Sequence, residues 1–477
     1  MGIRWVVACA LSCLFGATGC GGGGGGGAAV PATAPPPVFE DGLGISGVSA
    51  SAIKVFDSGR EDYSTPEIAL SGSGDVLLAW WTQDLGAMWI RGQGQAWSAP
   101  AQLAAAANPR LSVSGNNAGN VAARWSVGRL FQFHPQTGWR PAATDQSPDT
   151  MASDLSPVHT LSDGTSAYTM RGMPSPPNGN FETHLMLVSP SGRVEKHVFP
   201  DYARSNVIAT KGVWGLLHAE QVVPGSSPWA MQWRAFNTDL TTANVVTIAE
   251  TPNYCRMGPI GYAYGPLFGA MSEAGFGVAA ATLSRGGYQD AATSYIGCEL
   301  IAAPIHRAGA AATQTLTSLT GQLVDVPVVG AGGNLAIVLW REASRGSLSP
   351  SAWFASTSVA GGSFSSPAGF GPPLPNKSWP AVVVDSTGRA TVAVTASFRS
   401  LQSLNRIYVA NYTVSGGWTP WRQVFAGFAA GPPKLAVNDV GDVALAFTAT
   451  PCDRAAAVPE AVCSSRKTAA IFVIKNP

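Results

Sequence analysis

Residues 66–81 read PEIALSGSGDVLLAWW, and residues 433–447 read PKLAVNDVGDVALAF. Each begins at a proline, runs through a few alternating apolar residues, turns on glycine with Ser, Asn or Asp, and runs apolar again. Period-two apolar runs either side of such a knot specify a β-hairpin. The same phrase recurs at residues 109–125 (PRLSVSGNNAGNVAARW), 327–340 (PVVGAGGNLAIVLW) and 380–396 (PAVVVDSTGRATVAVTA). Weaker copies begin at Pro157 (PVHTLSDGTSAYTM), Asn206 (NVIATKGVWGLLHAE) and Pro259. In three copies an aromatic follows the turn glycine by six residues: Trp80 after Gly74, Trp125 after Gly119 and Phe447 after Gly441.

A second phrase follows the hairpins at a distance, in GQAWSAP to Pro100, TGWRP to Pro141, GGSFSSP to Pro367 and GGWTP to Pro420. Its aromatic (Trp97, Trp139, Phe364 or Trp418) opens an outermost strand, and runs such as RIYVANYTV (406–414) supply a third. Four strands per unit, with starts at 66, 109, 157, 206, 259, 327, 380 and 433, give units spaced 43 to 68 residues. Repeats of roughly 40–50 residues with four strands each specify an all-β propeller. The count is eight blades. Seven is the alternative, because residues 259–327 hold Cys298 of the Cys255–Cys298 pair and an Ala-rich insertion. The last copy lacks a fourth strand, while SAIKVFDSG stands unpaired before the first. That N-terminal strand is expected to complete the last blade and remove an open edge.

Composition agrees. Of 477 residues, 46% are hydrophobic and only 12% charged, with 55 Gly and 35 Pro. Long amphipathic helices need a charged wet face, and the charges for it are scarce. A net charge of +1 with no clustered basic run excludes a nucleic-acid partner.

Residues 1–19 carry Arg4 and the apolar stretch 5–15, too short to span a bilayer. LFGATGC, ending at Cys20, resembles the lipobox of bacterial lipoproteins. The resemblance implies cleavage before Cys20, its lipidation, and, with Gly21 rather than aspartate next, outer-membrane placement. Seven glycines and AAVPATAPPPV follow, so residues 20–40 read as a tether and residues 41–477 as a single propeller domain. Of seven cysteines, Cys9 and Cys13 leave with the signal and Cys20 takes lipid. Cys255 and Cys298, and Cys452 and Cys463, form two local pairs, read as disulfides in an oxidising compartment. No C-x-x-C or adjacent histidine favours a metal there.

The repeat pattern resembles that of sialidase-like and related bacterial propeller proteins across residues 50–477. Their Asp-box spacing is absent, VVDSTGRATV around Asp385 is a distant echo, and no arginine triad or Tyr–Glu pair maps onto numbered positions, so no activity follows. GRLFQFHPQTGWR (128–140) resembles a phrase of the eight-bladed lipoprotein of outer-membrane assembly.

Catalytic candidates are few. His134, His159, His184, His197, His218 and His306 form no ligand spacing and read as core or surface residues, with His218 in an aromatic packing slot. Asp62, Glu67, Asp75, Asp154, Asp163, Asp385, Asp439 and Asp442 sit at hairpin turns or blade starts, where capping of the local backbone competes with paired-carboxylate chemistry. Trp81, Trp89, Trp229, Trp233, Trp353 and Trp379 lie off the repeat slots and read as packing, or else as a stacking face for sugar or peptide. No catalytic residue, metal or cofactor is assigned. The expectation is a monomeric, membrane-anchored binding or scaffold module for a glycan, peptide or envelope protein. A polysaccharide-acting glycosidase or lyase, and an outer-membrane assembly factor, are the alternatives.

Overall fold

Proline sets the rhythm of the chain because it cannot donate to a sheet ladder, and it stands at the joints between strands. The computed structural model describes residues 52–57, 64–82, 84–94, 96–105, 111–125, 129–142, 157–171, 182–200, 202–210, 213–221, 229–236, 242–251, 253–254, 267–284, 298–319, 322–324, 327–344, 352–369, 378–397, 404–428, 431–449 and 470–477. All belong to the unit Phe39–Pro477.

The described residues form eight antiparallel sheets, named blades 1 to 8 in chain order. Blade 1 holds Glu67–Leu70, Val76–Thr82 and Gly86–Gln93, with Ala96–Trp97 and Ala101–Ala104 outside. Blade 2 runs Leu111–Gly115, Val121–Trp125, Leu130–His134 and Gly138–Pro141. Blade 3 runs His159–Thr160, Ser166–Arg171, Glu182–Val188 and Val194–Pro200, and blade 4 runs Tyr202–Thr210, Val213–Gln221, Trp229–Phe236 and Thr242–Thr251. In blade 5, Asn253–Tyr254 and Leu267–Met271 share the inner position, followed by Phe276–Ser284, Cys298–His306 and the outer pieces Gly309–Ala310 and Gln314–Leu319. Blade 6 holds Gln322–Val324 and Val328–Gly332, then Leu335–Ser344, Ala352–Val359 and Ala368–Gly369. Blade 7 runs Ser378–Val384, Ala390–Ser397 and Leu404–Thr413, with Gly417–Trp418 and Arg422–Phe428 outside. Blade 8 combines Lys434–Val437, Val443–Ala449 and Ala470–Lys475 with Ile53–Asp57.

Each inner strand packs on that of the next blade, from 1 round to 8 and back to 1, so the sheets close into an eight-bladed β-propeller. The region that left the blade count open is a full blade of its own. The N-terminal strand closes the ring as expected, pairing Ile53 with Val473 and Asp57 with Ala470 around a bulge at Val55. Phe56 carries the closure into the core, its ring 4.8 Å from that of Trp80 in blade 1.

The hairpin turns explain the repeat at atomic level. At Ser71, Asn116, Leu161, Ser272, Asp385 and Asn438, the backbone N–H donates to the carbonyl four residues on. The glycine three residues on donates back to the first residue's carbonyl. Those glycines (74, 119, 164, 275, 388 and 441) have φ between 79° and 87°, the left-handed region that disfavours any Cβ. In all but the Leu161 turn, the first side chain accepts the N–H four residues on, as Asn438 Oδ1 does from Asp442 at 2.8 Å. Hence the polar residue ahead of each glycine.

The motif W-x-x-P or W-x-P marks an interruption. Trp97 and Trp418 end short outer pieces, and after Pro100 and Pro420 the chain returns to the same neighbour as Ala101–Ala104 and Arg422–Phe428. The core lies between blades. Trp80, Ile68, Leu78 and Ile90 of blade 1 pack with Ala444, Ala446, Ile471 and Val473 of blade 8, for example. Alanines at such second-strand positions (Ala79, Ala122, Ala280, Ala393, Ala444) are wholly buried, as crowding toward the axis requires.

The tight inner turns share one face, here called the turn face. Between second and third strands, residues 172–181, 222–228, 285–297, 345–351, 398–403 and 450–469 lie outside the described residues. Also outside are Cys20 with its tether, Cys255, Cys452, Cys463, Asp62 and Asp154, as are the side chains of Cys298, Trp125, Trp229 and Trp379.

Candidate binding site at the turn face

Where inner strands converge, backbone meets backbone, and side chains short enough to fit must satisfy it. A hydrogen-bonded belt of turns results. Ser386 Oγ of blade 7 donates to Asp439 O of blade 8 at 2.6 Å, and Arg389 Nη2 donates to Gly441 O at 2.7 Å. Asn438 Nδ2 of blade 8 donates to Ser71 O of blade 1 at 2.9 Å. Asn117 of blade 2 accepts twice: its carbonyl from Gly72 N at 3.0 Å and its Oδ1 from Asp439 N at 3.1 Å. Asn116 Nδ2 reaches blade 3 at Leu161 O, 2.7 Å away, and Thr160 Oγ1 donates back to Ser114 O at 2.7 Å. Between blades 6 and 7 the backbones approach so closely at Gly332 that no side chain fits there. A Cβ on Gly332 would stand 2.2 Å from Val384 O and 2.4 Å from Asp385 O.

Asn438 is the pivot of this belt and is 3% exposed. Asn438→Ala removes one of the two donors to Ser71 O, Gly74 N–H remaining, and strips the Asp442 N–H of its acceptor; leaving such a group unmatched costs about 1–3 kcal/mol. A guanidinium titration is expected to show that loss, with the midpoint falling and the slope unchanged.

The belt surrounds a cavity of about 210 Å³ at the channel mouth, with lining from blades 1, 2, 3, 5, 6, 7 and 8. Its lining is rich in amides and hydroxyls (Asn116, Asn117, Asn438, Ser162, Ser272, Ser386), carries the carboxyl residues Glu273, Asp385 and Asp439, and includes no Lys or Arg among the described residues. Asp385 is committed: Oδ1 accepts from Thr387 N, Thr387 Oγ1 and Arg389 N, and Oδ2 accepts from Arg389 Nε at 3.1 Å. The mouth therefore suits a neutral, hydroxyl-bearing ligand and repels an anion.

His159 also lines this cavity. Its ring bonds the Val207 backbone carbonyl of blade 4, and burial pushes its pKa down to about 4 despite that bond. Its Nε2 is buried with no hydrogen-bond partner in the protein.

The other candidates separate cleanly. Asp163 caps its turn at Thr165 N, 2.8 Å, and Asp442 accepts from the Asn438 and Asn476 amides. Asp75 borders a smaller groove of about 110 Å³ between blades 1 and 2. Burial works to raise its carboxyl, but hydrogen bonds from Arg91, Gln93 and Ser73 and the Arg91 charge outweigh it and hold the pKa low. Arg91 lies 2.7 Å from Asp75 and over the Phe133 ring, so that groove is an internally satisfied pair. Glu67 starts the inner strand of blade 1, toward the opposite channel end, and pairs with Lys434 at 2.7 Å. Burial raises its carboxyl above the usual range, outweighing the lysine.

His218 is fully buried with Nε2 3.2 Å from Gln232 Oε1, and Trp233 and Trp353 are buried core. Trp89 packs against Phe133 and Trp139, each 5.9 Å away. Trp233 and Trp353 therefore offer no stacking face, and Trp89 is half-buried. Among the described residues no three His, Cys, Asp or Glu side chains converge as a metal site would need.

The chain matches no family model and no curated protein. Solved structures share the fold. An α-L-arabinanase of Penicillium chrysogenum, complexed with arabinobiose, aligns at 14% identity over 69% of this chain and 93% of its own, with a TM-score of 0.35. The apocarotenoid oxygenase of Synechocystis aligns at 13% over 79% and 92%, TM-score 0.37. Prolyl oligopeptidase B of Galerina marginata aligns at 8% over 83% and 56%, TM-score 0.41. Their activities differ from one another, and the likeness is one of architecture alone.

Proposed function

We propose that this chain is a lipid-anchored binding module of the bacterial envelope whose turn-face mouth takes a neutral glycan. The observation that carries the reading is the lining itself: amides, hydroxyls and carboxylates from seven blades meet at one cavity without a lysine or arginine among the described residues. Directional donors and acceptors on a rigid ring fit the spaced hydroxyls of a sugar, and the carboxylates disfavour uronic acids. The test is calorimetric titration of the purified chain with neutral oligosaccharides and with uronic-acid oligomers. Neutral ligands are expected to bind and acidic ones to bind weakly or not at all. Tighter binding of the acidic set overturns the reading.

The anchor is a separate part of the proposal and rests on LFGATGC with the Gly-rich tether behind it. Cys20→Ala is expected to abolish incorporation of labelled palmitate and to shift the chain from the membrane to the soluble fraction. Unchanged labelling would remove the anchor from the proposal.

A hydrolytic reading is favoured by one observation, the raised carboxyl of Glu67, since a glycosidase acid must hold its proton near neutral pH. Release of shorter sugars from the same oligosaccharides, lost in Glu67→Gln, would replace the binding reading.

A further inference from the structure

The inner turns that share one hydrogen-bond pattern each place one residue at their second position: Gly72, Asn117, Ser162, Glu273, Ser386 and Asp439. All of these but Gly72 line the cavity at the mouth. Blade 1 differs because its neighbour stands in front of it. A Cβ on Gly72 would lie 3.0 Å from Asn117 O and 3.4 Å from Asn117 Cβ, so the glycine leaves the room that Asn117 occupies. From there Asn117 of blade 2 reaches past blade 1 to blade 8. Its carbonyl accepts from Gly72 N at 3.0 Å and its Oδ1 from Asp439 N at 3.1 Å.

The belt uses only half of this side chain. A backbone N–H donates and never accepts, so the amide oxygen must face Asp439, and the nitrogen is left over. An aspartate would meet the same demand. Asn117 is half-buried, and its Nδ2 is open to solvent and has no hydrogen-bond partner among the described residues. The other two side-chain amides of the lining are spent, Asn116 Nδ2 on Leu161 O and Asn438 Nδ2 on Ser71 O. The Ser386 and Thr160 hydroxyls donate to Asp439 O and Ser114 O. Ionised Glu273, Asp385 and Asp439 accept only. Asn117 thus brings to the mouth an amide donor that bonds to two other blades already hold in place, so little freedom is lost when a ligand meets it.

We propose that Asn117 is the specificity-determining residue of the mouth, its Nδ2–H donating to a hydroxyl or ring oxygen of the bound glycan. The inference rests on the binding reading above and deepens it, assigning the blade 2 side of the cavity to an acceptor oxygen of the sugar.

The test titrates the full chain and its Asn117→Asp variant with arabino-, xylo-, cello- and malto-oligosaccharides. The substitution keeps the acceptor for Asp439 N–H and removes only the donor, and its added charge meets a neutral ligand. Its melting temperature is expected to stay close to that of the wild type. Its affinity for whichever oligosaccharide binds the wild type is expected to fall about tenfold or more. A second readout follows the amide itself. In chain labelled with ¹⁵N-asparagine, the side-chain NH₂ pair that is missing from the variant belongs to Asn117, and in the wild type it should move on saturation with sugar. Asn117→Ser, which carries the residue of blades 3 and 7 at this position, supplies the same assignment and the same loss of affinity should the aspartate variant not fold. Equal affinity of wild type and variant, or an Asn117 amide unmoved at saturation, overturns this inference and leaves the binding reading standing. No binding of any oligosaccharide to the wild type overturns the binding reading, and this inference with it.

Discussion

A chain starting at Ser51 should be about 4 kcal/mol more stable than one starting at Gly59, on the strength of one five-residue strand. The shorter chain lacks Ile53–Asp57, the fourth strand of blade 8. It loses the ladder to Ala470–Lys475 and the apolar contacts of Val55 and Phe56 with the blade 8–blade 1 core. A fully buried large apolar side chain contributes about 1.5–3 kcal/mol, and these two are part-buried, so the figure is a central value. The strand also covers an edge. Without it Ala470–Lys475 presents unpaired backbone groups, and the apolar run AIFVIK becomes a template for association. Guanidinium midpoints and size-exclusion profiles check both effects, with oligomers expected only from the shorter chain. A synthetic peptide of residues 50–58 added in excess should return the monomer. Equal midpoints for the two chains would mean that closure lies elsewhere.

Ring closure was readable because it depends on counting strands: a last unit one strand short and an orphan strand at the start. The turns were readable for a different reason. Backbone geometry demands a glycine at φ near +80° and a short polar side chain ahead of it, so the chemistry repeats in the letters even where the apolar residues drift. Where that punctuation fails, so does the boundary. Blade 4 begins at Tyr202, two residues after Pro200 and four before the copy start at Asn206, which carries no proline of its own. In blade 5 the copy start at Pro259 falls between two pieces of one inner strand, Asn253–Tyr254 and Leu267–Met271, which pair with the same neighbour. Turn capping by Asp163 and Asp385 was anticipated because it is local, whereas the Asp442 carboxylate accepts from the Asn438 and Asn476 side-chain amides. The cavity was not, because its lining comes from seven blades, from Leu70 to Asp439, and no single stretch contains it. Nor was His159: the prolines of the copies stand at different distances from their turns, and in the sheet register its counterparts are Ala69, Ser114, Ala270, Val383 and Ala436.

That residue also predicts how the fold responds to acid. His159 is neutral in the folded chain down to a pKa of about 4, whereas an unfolded chain takes up the proton near 6.5. Above 6.5 neither state is protonated and the ring is without effect on stability. As pH falls below 6.5 the unfolded state binds the proton first, so stability declines until the folded state binds it near pH 4. The full loss is on the order of 3 kcal/mol, from about 1.36 kcal/mol per pH unit of displacement. Two carboxylates change stability nearby, and their signs differ. Asp75, with its pKa held low, contributes stability above about 3.8 that is lost at lower pH, below the histidine's window. Glu67, with its pKa raised, favours the fold at low pH and loses that contribution as pH rises above 4.5, opposing His159 within the same window. The wild-type curve alone therefore mixes two responses. The difference between wild type and His159→Leu isolates one, because both chains keep Glu67 and Asp75. Unfolding free energies at pH 7.5 and 4.5 should give a wild-type decline larger than that of His159→Leu by about 2–3 kcal/mol. The same decline in both chains would place a proton on the ring in the folded state at pH 4.5 and overturn the argument from burial. A ring that stays neutral down to about pH 4 follows from its desolvation, so this measurement tests how His159 is seated in blade 3 without requiring a ligand.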